Sequence, residues 1–104
     1  MDTDKMVEKN MLGITCERQG DYEQAIKLYE ENIFDRFEGN HPYDRLAIYY
    51  RKLKDYDNEI RVLEAGIDVF TYDVDHLRMD RIPKLKKFKE RLKKAKELKK
   101  KSKQ

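Results

Sequence analysis

One fourteen-residue phrase occurs twice in this chain, 34 positions apart. It reads "GDYEQAIKLYEENI" over residues 20–33 and "KDYDNEIRVLEAGI" over residues 54–67. Asp21, Tyr22, Ile26, Glu30 and Ile33 recur as Asp55, Tyr56, Ile60, Glu64 and Ile67. Where identity fails, character survives: Glu23 becomes Asp57, Gln24 becomes Asn58, Lys27 becomes Arg61 and Leu28 becomes Val62. Self-similarity at a fixed period of this size marks a chain built from stacked supersecondary units.

The period inside each copy is helical. Tyr22, Ala25, Ile26, Tyr29 and Ile33 fall three or four residues apart, as do Tyr56, Ile60, Leu63 and Ile67. The register extends upstream, because Leu12, Gly13 and Cys16 map onto Leu46, Ala47 and Tyr50. Tyr43, Leu46, Ala47, Tyr50 and Leu53 again keep helical intervals. Each unit is therefore a pair of helices joined near Gly20-Asp21 or Lys54-Asp55. Gly20 suits the left-handed residue that commonly ends a helix. "FEGNHP" supplies a turn between the units, and Pro42 fits the first turn of the next helix. Helices are expected near residues 4–19, 22–36, 42–53 and 56–70. A connection follows at 72–81, and a last helix runs from about 82 towards 100. Two Pro and four Gly leave room for long helices and too little punctuation for many short strands.

These features resemble the tetratricopeptide repeat, a 34-residue helix–turn–helix unit. Leu12-Gly13 and Ala25-x-x-x-Tyr29 carry the likeness in unit one, and Tyr43, Leu46, Ala47 and Tyr50 carry it in unit two. The resemblance covers about residues 5–71. It implies an all-α fold, a right-handed α-solenoid of two repeats (about 5–38 and 39–72) in one domain over 1–104. Some positions depart from the pattern: Glu59, Asn32 and Gly66 stand where the family has small Ala, and Phe37 and Thr71 replace its terminal Pro. Cys16 replaces an aromatic and reads as a small buried filler.

A repeat cannot bury its own apolar face, and two repeats are few. The last helix offers a lid, with Leu85, Phe88, Leu92, Ala95 and Leu98 at helical intervals. Its other face is nearly all lysine. Residues 84–104 hold twelve Lys/Arg against Glu90 and Glu97, a net of +10, whereas residues 1–83 carry −7. The basic face reads either as a solubilising coat on a capping helix or as a surface for an acidic partner or nucleic acid. Phe88 is its only aromatic, which offers poor stacking for single strands. The "KKKSKQ" end is expected to fray.

In the family resembled, the first helices of successive repeats line a concave groove that takes a segment of another polypeptide. Position by position, the groove residues here are Val7, Asn10, Met11, Ile14, Glu17 and Arg18, then His41, Asp44, Arg45, Ile48, Arg51 and Lys52. The residues themselves draw notice to the same place. Ile48 lies off the Tyr43-Leu46-Ala47-Tyr50 stripe and repeats the position of Ile14. Either the two isoleucines floor a groove with arginines at its edges, or they meet the last helix and widen the core. Chaperone-binding members clamp a carboxylate with Lys and Asn; Asn10 and Ile14 stand at two of those positions, which argues against that role.

Nothing in the sequence suggests catalysis, a cofactor or a metal. His41 and His76 lack ligand-spaced neighbours, and Cys16 is the single cysteine. "DVDH" at 73–76 lacks the glycine and spaced oxygens of a calcium loop, and Asp75 or Asp80 can instead cap a turn. No apolar run approaches the roughly 18 residues of a membrane helix. The charged "MDTDKMVEKN" start has no signal-peptide core, so a cytoplasmic protein is expected. The sequence therefore reads as a non-catalytic protein-binding scaffold. Nucleic-acid or acidic-partner binding through the last helix is the alternative, and weak self-association could use Ala95 and Leu98.

Overall fold

The computed structural model describes residues 3–103, which contain five α-helices and no strand. They are α1 (Thr3–Arg18), α2 (Tyr22–Phe34), α3 (His41–Lys52), α4 (Tyr56–Tyr72) and α5 (Arg81–Ser102). Each begins within one residue of the start expected from periodicity. The largest difference at a helix end is at α5, which stays helical through Ser102 rather than fraying after residue 98. Gln104 lies outside the described residues.

The doubled phrase folds the same way twice. Asp21 accepts a hydrogen bond from the Gln24 amide at 3.3 Å, and Asp55 accepts one from the Asn58 amide at 3.2 Å. The two caps share their backbone angles, φ −88°, ψ 75° and φ −90°, ψ 74°. Each satisfies a donor that the first helical turn leaves unpaired. The turns before them also match. Gly20 donates to the Glu17 carbonyl and Asp21 to that of Cys16; Lys54 donates to Arg51 and Asp55 to Tyr50. Gly20 has φ +78° and Lys54 has φ +58°, so both turns need a left-handed residue and only one has glycine.

Successive helices pack against each other from α1 to α5, and α2 also touches α4. The molecule measures 45 × 35 × 19 Å. Its short dimension is about that of two helices laid one on the other, each about 10 Å across. One core runs through it: Ala25, Tyr29 and Ile33 from α2, Tyr43, Leu46 and Ala47 from α3, Val62, Leu63, Val69 and Phe70 from α4. Arg61 pairs with Glu30, and Arg36 with Asp68 and Asp73, which ties α4 and its end to the first unit.

The last helix covers the end of this core. Leu85, Phe88 and Ala95 are buried and Leu92 packs against them. Phe88 meets Tyr43 and Phe70 edge-on, with ring centroids 6.0 and 5.3 Å apart. Gly66 makes room for it, since a methyl there would stand 3.2 Å from the ring. Ala95 is fully buried within the single chain, so it is unavailable for pairing between chains. The other end is open. Leu46 is wholly buried, but its counterpart Leu12 on α1 is 54% exposed. In the connection, Asp75 accepts from the Leu77 amide at 2.8 Å and caps a short turn.

Candidate functional site

The sequence-selected residues occupy α1 and α3, and the structure divides them among several places. Glu17, Arg18, Arg45 and Lys52 line one cavity of about 560 Å³ together with Tyr22 and Tyr49. Ile48, Arg51 and Lys52 line a second recess of about 240 Å³, walled also by Ala47, Glu59 and Arg91. Lys52 belongs to both, so the two spaces adjoin. Val7 and Met11 face elsewhere, onto the uncovered side of α1 beside Glu8, Leu12 and Thr15. Ile14 and Asn10 are half-buried and line neither the cavity nor the recess. Asp44 reaches across to α5, where its Oδ1 accepts from Arg91 at 2.5 Å.

Glu17 is the centre of the first cavity. Its carboxylate accepts from the hydroxyls of Tyr29, at 2.5 Å, and Tyr49, at 2.9 Å. The Arg45 guanidinium closes on it at 2.8 Å. Burial alone would raise this carboxyl, but the two hydroxyls and the guanidinium outweigh burial and hold it below the ordinary value of 4.5. Burial pushes the Tyr29 hydroxyl well above its usual range, and the Glu17 charge adds to the effect. Tyr29 donates to Glu17, so its oxygen accepts from His41 Nε2, 3.2 Å away. Burial lowers the His41 pKa, and the neighbouring Arg45 lowers it further, against Glu17 and Asp44.

This network joins α1, α2 and α3 through one carboxylate. It also consumes Arg45, which the sequence reading had placed at a groove edge for a ligand. Arg18 and Lys52 remain exposed without an ion pair among the described residues and supply the cavity's free positive charge. Tyr22 and Tyr49 form its aromatic wall, with centroids 5.5 Å apart, and Arg45 lies over the Tyr49 ring at 5.4 Å. Tyr49 was not among the residues chosen from sequence, although it lies off the core stripe of α3. Tyr22 was missed as well, because its spacing assigned it to the core while the structure leaves it 51% exposed at the start of α2.

The second recess lies between α3 and α5. Glu59 is 1% exposed there, and its Oε2 accepts from Arg51 Nε at 2.7 Å. Burial raises the Glu59 pKa and the Arg51 hydrogen bond only partly offsets this. Arg91 comes from α5 and lines the recess with Ile48, on the side of the alternative in which that isoleucine meets the last helix. Among the described residues no group of three or more His, Cys, Asp and Glu is arranged to hold a metal ion, and no helix is long and apolar enough to cross a membrane. No family model matches the chain, and no curated protein or solved structure does either.

Proposed function

We propose that this chain is a non-catalytic binding module, a two-unit right-handed helical solenoid of the tetratricopeptide kind. It holds a segment of another polypeptide against α1 and α3. One observation carries the reading: Glu17, Arg18, Arg45 and Lys52, chosen from sequence on two helices 34 residues apart, line a single cavity. The internal network fixes its floor, so the site is preorganised, which lowers the entropy lost on binding. Its free cations and exposed aromatic ring suit a segment with acidic residues and an apolar or ring-bearing anchor.

The test is a capture experiment with the intact chain beside Arg18→Glu/Lys52→Glu and Ile48→Glu variants. Both charge positions are exposed, so their exchange leaves stability nearly unchanged. A polypeptide retained by the native chain and lost with both folded variants supports the reading. Retention by all of them refutes it.

A second reading rests on α5. Of its lysines only Lys99 forms an ion pair, with Asp57 at 2.5 Å, among the described residues. The others present an unpaired basic face suited to an acidic partner or nucleic acid. Salt separates the two readings. A phosphate-dominated contact weakens log-linearly and steeply with ionic strength, whereas an anchored groove changes modestly.

A further inference from the structure

The connection between α4 and α5 turns its arginines inward and its apolar side chains outward, the reverse of what water favours. Arg78 donates to the Asp80 carboxylate and, at 2.7 Å, to the Glu38 carbonyl, and its guanidinium lies over the Phe70 ring. Arg81 donates to the Phe70 and Thr71 carbonyls at 2.9 and 3.2 Å. Val74 is buried between α4 and this stretch, which ties the segment to the core. Leu77, Met79 and Ile82 point the other way and are 89%, 95% and 63% exposed. A single exposed apolar residue is ordinary, but a cluster of large ones beside a charged surface marks a place of contact. The inward hydrogen bonds hold the segment in this pose, so the exposure belongs to the fold.

We propose that this end of the molecule docks on an anionic lipid bilayer, with Leu77, Met79 and Ile82 entering its outer layer and the lysines of α5 lying on its headgroups. Ile82 begins a line of exposed side chains on α5 that continues through Lys86, Lys89, Lys93, Lys96 and Lys100. Alternating steps of four and three residues keep that line on one face, and at about 1.5 Å per residue it runs for about 27 Å. None of these five lysines forms an ion pair among the described residues; on α5 only Lys99 and Arg91 do. Apolar side chains that can enter the acyl boundary and a basic face that attracts anionic headgroups are the two parts of an interfacial anchor. The nearby carboxylates oppose this little: Asp80 is closed on Arg78, Asp75 caps the Leu77 amide at 2.8 Å, and Glu90 and Glu97 lie to one side of the line. The apolar turn decides against nucleic acid, which would engage the lysines and leave Leu77 and Met79 in water. The contact is with the surface, since no helix among the described residues is long and apolar enough to cross a membrane. The proposal does not rest on the groove reading, and it assigns the lysines of the second reading to lipid.

The test is partitioning of the intact chain onto vesicles of phosphatidylcholine with about one-third phosphatidylserine, beside vesicles of phosphatidylcholine alone. Each lysine at an anionic surface is worth about fivefold, so the mixed vesicles should bind at least tenfold more tightly. Lys86→Glu/Lys89→Glu/Lys93→Glu should remove that preference. Leu77→Ser/Met79→Ser should weaken binding about tenfold or more through lost hydrocarbon contact. All five positions are exposed, and circular dichroism checks that both variants fold. The chain has no tryptophan, so Met79→Trp supplies a single reporter. Its emission should shift to the blue on the mixed vesicles and be quenched by brominated acyl chains. Equal binding by the serine variant with an unmoved Trp emission overturns the proposal and leaves the lysines as a purely electrostatic surface. Tighter binding to a DNA duplex than to the mixed vesicles, again with the emission unmoved, overturns it in favour of nucleic acid. A dimer that the serine substitutions break, with no vesicle binding, overturns it and makes the turn a contact between copies. Absence of vesicle binding by the native chain overturns it outright, and none of these outcomes bears on the groove of α1 and α3.

Discussion

At the scale of single residues, the two copies of the repeat serve as controls for each other. Lys54 holds φ +58° in a turn where unit one uses Gly20 at φ +78°. A left-handed conformation costs a side-chain-bearing residue roughly 1–2 kcal/mol, and glycine returns part of that as unfolded-state entropy, about 0.4–1 kcal/mol. Lys54→Gly should therefore stabilise the fold by about 0.5–1 kcal/mol, read as a higher urea midpoint with an unchanged slope. Gly13 shows the opposite constraint. A methyl there would run into the Tyr29 ring, which Glu17 and His41 hold in place. Gly13→Ala should destabilise by about 1–3 kcal/mol through overpacking, although Ala47 is accommodated at the same position of unit two. A thermal melt no lower than that of the native chain would contradict this.

At the scale of elements, α5 covers the apolar end of the second unit. Its buried stripe closes the end of α3 and α4 that a further repeat would otherwise cover. Within that stripe Phe88 lies against Tyr43, Phe70 and Gly66. Phe88→Ala should cost about 3–5 kcal/mol. Against total stabilities of about 5–15 kcal/mol that is a large share. Equilibrium denaturation should show either a much lower midpoint or no folded baseline. The periodicity of Leu85, Phe88, Leu92 and Ala95 made this helix and its inward face legible from sequence. The lysines between them are consistent with its outward face, because they leave nothing else on it to bury.

At the scale of the whole molecule, the groups that join α1, α2 and α3 make stability depend on pH. His41 has its pKa lowered by burial from the ordinary value of 6.5. A base depressed in the folded state contributes stability above 6.5, and that contribution fades as pH falls through its folded value. Glu17 is depressed from 4.5, so its contribution is present above 4.5 and is lost on further acidification. Stability should thus fall in two stages, the first beginning near pH 6.5. His41→Gln should remove the first stage and spare the second. Denaturation midpoints between pH 7 and pH 5 that fall equally in both proteins would show that His41 is not responsible.

The candidate site was partly legible. Ile48, Arg51 and Lys52 line one recess, as residues one helical turn apart can, but Ile14 does not join them. Val7 and Met11 mark the uncovered side of α1 instead. Glu59 stood out in sequence as a charge at a position the pattern reserves for a small residue. Its surroundings come from α3 and α5, the helices before and after its own, which bring Arg51 and Arg91 beside it.

Helices and turns followed from sequence alone, because they depend on residues within one or two turns of each other and the chain states them twice. The choice of which polar groups meet across helices was made by the tertiary structure. Arg45 was spent on Glu17, Arg91 was brought against Asp44, and Glu59 was turned inward onto Arg51. Such partnerships depend on where α1, α3 and α5 come to lie relative to one another, and a periodic pattern in one helix carries no information about the distances to the next.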